Sequence, residues 1–164
     1  MQEKQKKWIL RIALYLIGIM VLALGITLNT KTNLGVSPII SMPYAVAQIF
    51  GYETGTAVFV AYLIFIVLQI VLLKGKFPPF QFLQVAASYL TSAFITIFDW
   101  ILPTPDQMGM RLLVLALAII LTGIGAAVTV DVNIIPNPAD GLARVLGERC
   151  GKNMLSLIHI SEPT

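Results

Sequence analysis

From Leu112 to Val130 the chain runs for 19 residues without a charged side chain. Hydrocarbon offers no partner to a backbone N–H or C=O, so a segment that crosses it must satisfy those groups internally, as a helix or within a closed barrel. A spanning helix needs roughly 20 mostly apolar residues. The run from Leu112 is continuous rather than alternating, which selects the helix. Three other segments share this character, and we place the spans at about 8–29, 55–73, 80–102 and 111–130. Composition agrees: 57% of residues are hydrophobic, 12% are charged and the mean hydropathy is +0.86, values foreign to an ordinary soluble domain. The expected fold is an all-α, polytopic helical membrane protein. Span 1 lacks a small-residue cleavage site followed by a polar mature domain, so it reads as a retained helix. Cys150 is the single cysteine, which excludes an intramolecular disulfide.

Lysine and arginine set the orientation, because short loops rich in them stay in the cytoplasm. Lys4, Lys6, Lys7 and Arg11 precede or open span 1, and Lys74-Gly75-Lys76 joins spans 2 and 3. The connection from Leu102 to Met110 carries Asp106 and no lysine or arginine. The amino end is therefore expected inside an inner cell membrane. Arg144, Arg149 and Lys152, after span 4, fall on the same side.

Two short segments, Asn33 to Gly51 and Asn133 to Gly151, lie 100 positions apart, each directly after a long apolar span. In that register Gly25 meets Gly125, Asn33 meets Asn133, Pro38 meets Pro138, Gly51 meets Gly151, and Ser37 stands opposite Asn137 as a second helix-capping residue. The shared positions are residues that shape backbone. With the orientation above, the two segments face opposite sides, so residues 1–102 read as membrane repeat one and 111–154 as the start of an inverted repeat two. An odd number of spans per repeat produces such an inversion, which is a common construction of secondary transporters.

The stretch at about 37–50 is too short to span and too apolar for an ordinary loop, and Ser37-Pro38 is a favourable N-cap and first-turn pair. It reads as a half-helix, with a second at about 137–149 and a kink expected at Pro43. Two placements stay open: a re-entrant half-helix whose amino end faces a cavity, or a short helix in the headgroup region. A half-helix amino end carries unpaired N–H groups and a positive dipole end.

Span 3 places Gln81, Gln84, Ser88, Thr91, Ser92, Thr96 and Asp99 within one arc, opposite Leu83, Ala86, Leu90, Ala93 and Ile97. The polar arc is expected to turn away from lipid, either to line a pathway or to pack through the small residues Ser88, Ser92 and Thr96. Asp140 and Arg144 have the i, i+4 spacing of a helical ion pair; the other reading has Asp140 coordinate a cation or proton at the amino end of the second half-helix. Lys31 and Asp99 read as ordinary interfacial residues. The pathway candidates are Asn33, Ser37, Pro38, Gln84, Ser88, Thr91, Asn133, Asn137, Pro138 and Asp140.

The final ten residues, LSLIHISEPT, have none of this character. They resemble an in-frame translation of a sequencing adapter, so residues 155–164 are expected to be an artefact, and His159, the only histidine, carries no argument. If repeat two matches repeat one, two further spans follow Met154 and the protein has six, of which four stand here.

The run NLGVSPIISMPY from Asn33, the entry Gly51 to Thr56, the turn KGKFPPFQFLQ from Lys74 and the segment PADGL from Pro138 carry a resemblance to the YczE/YyaS/YitT family of bacterial multi-pass membrane proteins. It covers nearly all of residues 8–154. The resemblance implies a polytopic cell-membrane protein with an internal repeat and assigns no substrate. Relatives of this type often carry an acidic residue shortly after the first proline; here Ile39, Ile40 and Ser41 stand there.

An intramembrane enzyme needs a nucleophile with a base, a metal cluster or paired carboxylates. The sequence offers no such set, no metal-ligand spacing and no phosphate loop, so no catalysis and no cofactor are expected. The pI of about 9.1 comes from lysines and arginines near the membrane, which suits anionic lipid headgroups rather than nucleic acid. The expected function is a secondary transporter or permease moving a small solute by alternating access. The competing reading is a membrane scaffold or accessory subunit, homo-oligomeric or bound to another membrane protein.

Overall fold

The computed structural model describes residues 2–73, 82–132 and 134–149. The Lys74 turn, Gln81, Asn133, Cys150, Gly151 and the final ten residues lie outside them. Among the described residues the fold is six helices: α1 (Gln2–Lys31), α2 (Pro38–Phe50), α3 (Thr54–Leu72), α4 (Leu83–Ile101), α5 (Met108–Val132) and α6 (Pro138–Arg149). The chain is an all-helical membrane protein. α1, α3 and α5 are long and apolar enough to cross a bilayer. α4 has 19 residues but is not among those three, because Gln84, Ser88, Thr91, Ser92, Thr96 and Asp99 lower its hydropathy.

The short helices start and stop where local chemistry dictates. α1 ends with Asn33 at φ 54°, a left-handed conformation that asparagine tolerates better than most residues. Pro38, whose ring sets a helical φ and whose missing N–H costs nothing there, opens α2. Gly51, at φ 70°, closes it, with backbone N–H groups returning to the Ala47 carbonyl.

α1 and α5 pack along most of their length in opposite directions. Gly18 lies against Val128 and Thr129, Gly25 against Thr122, and Gly125 against Leu22. At Gly25 and Gly125 backbone approaches backbone: a Cβ on Gly125 would sit 2.5 Å from the Leu22 nitrogen, and one on Gly25 would sit 2.6 Å from the Thr122 nitrogen. Lipid tails are as apolar as leucine, so helices in a membrane gain little from burial and associate through close packing; small residues permit it. The last two contacts exchange under a shift of 100 positions, Gly25 with Thr122 becoming Gly125 with Leu22.

α3 and α4 form a second antiparallel pair. Gly55 fits beneath Ser92 and Thr96, and the Ser92 hydroxyl donates to the Gly55 carbonyl at 2.7 Å. The arc that the sequence placed inside is buried at Gln84, Ser88, Thr91 and Ser92, while Leu83, Ala86 and Ile97 face outward. α4 runs parallel to α1: Lys31 meets Asp99 at one end, and Tyr15 and Ile19 meet Ala87, Leu90 and Phe94 toward the other. α2 reaches the core through Ile40, which packs with Leu22, Ile26, Val58, Tyr62 and Ile95. α6 docks on α3, where the Gln69 amide donates to the Pro138 carbonyl at 3.0 Å and Gly141 leaves room for that side chain. The Tyr15 hydroxyl donates to the Ile135 carbonyl at 3.1 Å, fixing the approach to α6.

The α1–α5 contact should govern stability at one glycine and not at its neighbour. Gly125→Leu, forced against the Leu22 backbone, is expected to destabilise by about 1–3 kcal/mol or more, read as a lowered thermal transition in detergent. Gly123→Leu, whose Cβ meets nothing within 4 Å, should stay within about 0.5 kcal/mol.

Candidate functional site

A cavity of about 130 Å³ lies where the amino ends of α2 and α6 approach the α1–α5 pair. α1 lines it with Leu22, Ile26, Asn29 and Thr30, and the entry to α2 with Val36, Ser37, Ile39 and Ile40. Tyr62 comes from α3, Thr122, Ala126 and Thr129 from α5, and Asn137 and Asp140 from the start of α6. Ten of these fourteen residues form five pairs 100 positions apart: Leu22 with Thr122, Ile26 with Ala126, Asn29 with Thr129, Ser37 with Asn137, and Ile40 with Asp140.

The paired positions differ in chemistry. Ser37 occupies the N-cap position of α2, yet its hydroxyl makes no capping bond, contrary to the sequence expectation; its carbonyl accepts from the Ile40 and Ser41 N–H groups at 3.0 and 2.9 Å. Asn137 does cap: its Oδ1 accepts from the Ala139 N–H at 3.3 Å and its carbonyl from Gly141 at 2.8 Å. The Thr30 hydroxyl donates to the Thr27 carbonyl, and the Thr129 hydroxyl to Gly125 and Ala126, so both keep lone pairs but no free proton. Asn29 Oδ1 and Thr122 Oγ1 are buried and have no hydrogen-bond partner among the described residues. Two unmet polar atoms on one wall are costly unless something supplies the bond.

Among the described residues Asp140 is the one carboxylate on the wall, and no lysine, arginine or histidine lines it. The Tyr62 hydroxyl is buried beside the Asn137 side chain, with Asp140 near. Burial pushes the Asp140 carboxyl above its ordinary value of 3.8, because removing water disfavours the charged form. Arg144, four residues on, is exposed, whereas Asp140 is half-buried on the cavity wall.

Of the residues singled out from sequence, Ser37, Asn137 and Asp140 come together here. Pro38 and Pro138 set the helix starts; the Pro138 carbonyl is taken by Gln69. Asn33 lies away from the cavity, in a polar recess of about 270 Å³ shared with Thr30, Lys31, Tyr44, Gln48, Thr54, Asp99 and Thr104. Its Oδ1 accepts from the Tyr44 hydroxyl at 3.4 Å. Gln84, Ser88 and Thr91 do not line the cavity: the Ser88 hydroxyl donates to the Gln84 carbonyl at 2.6 Å and that of Thr91 to Ala87 at 2.8 Å. Gln84 is fully buried with both amide atoms unpartnered among the described residues.

Sequence reasoning missed Asn29, Tyr62 and Thr122, each embedded in an apolar span where a polar residue was the available signal. It also missed that Lys31 and Asp99, read as separate interfacial groups, form an ion pair at 2.9 Å. Thr30 stands on the walls of both the recess and the cavity.

Four long helices and two short ones around a small cavity define a multi-pass membrane protein with an internal polar site. The model of the DUF6198 family, a family of unknown function, matches residues 9–161, and the chain belongs to that family. The match runs past Met154 into the final ten residues. The chain is also 28% identical over 152 residues to the "Uncharacterized membrane protein YczE" of Bacillus subtilis (strain 168), covering 92% of this chain and 69% of the relative. Both findings agree with the YczE-like family assignment. No solved structure matches.

The raised Asp140 pKa makes a signed prediction. A carboxyl whose pKa rises on folding contributes stability that is fully present below its ordinary value and is lost as pH rises through the folded value. Asp140→Asn should therefore raise the melting temperature at pH 7.5 and give a smaller change at pH 3.5, measured in detergent across that window. A larger gain at pH 3.5 would refute the assignment.

Proposed function

We propose that the chain forms the core of a secondary carrier that binds a small solute in the cavity and exposes it alternately to the two sides of the membrane. The observation that carries this reading is the five pairs of lining residues 100 positions apart. A site built from equivalent positions of two oppositely directed segments lies on the axis relating them, where inverted-repeat carriers hold their substrates. The exchanged contacts Gly25 with Thr122 and Gly125 with Leu22 support the same inverted repeat. The carrier binds and releases without a covalent step.

In this reading α2 and α6 are re-entrant half-helices rather than headgroup helices, because Ile40, and Val145 of α6, are buried within the protein. The amino end lies in the cytoplasm of a cell with an inner membrane, following the basic residues before span 1. Those residues meet anionic headgroups. The ion pair Lys31–Asp99 closes the outer recess, and its separation opens a route to the cavity through Thr30.

The competing scaffold reading predicts a different response to mutation. Asn29→Leu removes the unpartnered Oδ1 together with Nδ2, Thr122→Val removes the unpartnered Oγ1, and both keep the shape of the side chain, so they should leave protein level and melting temperature intact or improved. In proteoliposomes screened with a panel of small solutes, they should reduce uptake about tenfold or more, the consequence of losing one hydrogen bond to a charged or polar solute. Uptake equal to that of the unaltered protein would sink the carrier reading, as would a loss confined to abundance. A cysteine placed at Asp106 should react with an impermeant reagent added outside intact cells.

A further inference from the structure

The cavity is unequal across its five pairs. Leu22, Ile26 and Ile40 are answered by Thr122, Ala126 and Asp140, so hydrocarbon faces a wall that carries a hydroxyl and a carboxylate. The wall offers acceptors in the Asp140 carboxylate, the unpartnered Asn29 Oδ1, and the hydroxyl oxygens of Thr30 and Thr129, whose protons are already donated to backbone, beside the hydroxyls of Ser37, Tyr62 and Thr122. Among the described residues no cationic side chain lines the wall. A half-buried carboxylate is stabilised by a cation brought into the cavity beside it.

Volume narrows the class further. At about 130 Å³ the space is comparable to the ~150 Å³ cavity that holds benzene in an engineered protein. A bare metal ion would leave Leu22, Ile26, Ile39 and Ile40 without contact, and an anion would face Asp140. We propose that the cavity binds a small primary alkylammonium ion, its NH₃⁺ group donating to Asp140 and Asn29 and its short hydrocarbon chain lying against Leu22, Ile26 and Ile40. This rests on the carrier reading only for its direction of movement; the binding itself does not. The symmetric counterpart of Asp140 is Ile40, so one carboxylate selects one ammonium group, and a diamine would bury its second charge against isoleucine.

The test is binding to the full chain reconstituted in nanodiscs at pH 7.5, followed by calorimetry and thermal shift, with n-propylammonium, 1-propanol, propionate, 1,3-diaminopropane and sodium as probes. A ligand that binds the folded protein raises its melting temperature in proportion to its occupancy. n-Propylammonium is expected to bind, and the other four to bind about tenfold more weakly or not at all. Asp140→Asn should abolish the ammonium response while the exposed control Asp106→Asn keeps it. Because Asp140→Asn removes a buried charge, a fall in its melting temperature without ligand would indicate misfolding, and Asn29→Leu then serves as the second variant, expected to weaken n-propylammonium about tenfold. Binding of propanol or propionate in preference to the ammonium, or ammonium binding indifferent to both variants, overturns the ligand class. Counterflow of labelled n-propylammonium in proteoliposomes is read separately: Asp140-dependent binding without counterflow upholds this inference and overturns the carrier reading.

Discussion

Gly25 and Gly125 let α1 and α5 approach until backbone meets backbone, and the cavity is built on that contact. A helix pair in lipid is held by packing rather than by expulsion of water, so the missing side chains are what make the pair possible. The cavity lies along the same contact, between Leu22 and Thr129 toward one end and Asn29 and Thr122 toward the other. Bulk at either glycine would therefore move its walls.

The short helices matter because of where their amino ends arrive. α2 is anchored by Ile40 in the core and α6 by Gln69 and Tyr15, two polar side chains that reach backbone carbonyls across 69 and 120 positions of sequence. In hydrocarbon a carbonyl without a donor is expensive, so such long-range bonds define a single docking position for a helix too short to hold itself. The result brings Ser37, Asn137 and Asp140 to one cavity from opposite ends of the chain. The α4 stripe serves differently: Ser92 and Thr96 close on Gly55, and the hydroxyls of Ser88 and Thr91 return to their own helix.

The helices were legible because apolar length and backbone-shaping residues are local properties. Pro38, Gly51 and Pro138 mark their helix ends whatever surrounds them. The span that includes Asp99 was legible as a helix, but its partner Lys31 was not, since an ion pair between residues 68 positions apart leaves no mark in either neighbourhood. Asn29 and Thr122 failed for a related reason. A single polar residue within an apolar run signals that it avoids lipid, but not whether it meets a helix, a carbonyl or a cavity. Ser37 was correctly placed at a helix start, while its predicted capping bond is absent, because position follows from the neighbouring proline and the hydroxyl's direction follows from tertiary surroundings.

By itself the sequence determined that this protein lives in a membrane and that it is built of helices, because each is settled by the free energy of a local segment in hydrocarbon. Only the tertiary structure decided which polar groups share a cavity, which are consumed by packing and which are left without partners. Those outcomes depend on the crossing of α1 with α5 and on the docking of α2 and α6, which are properties of contacts between segments far apart in the chain.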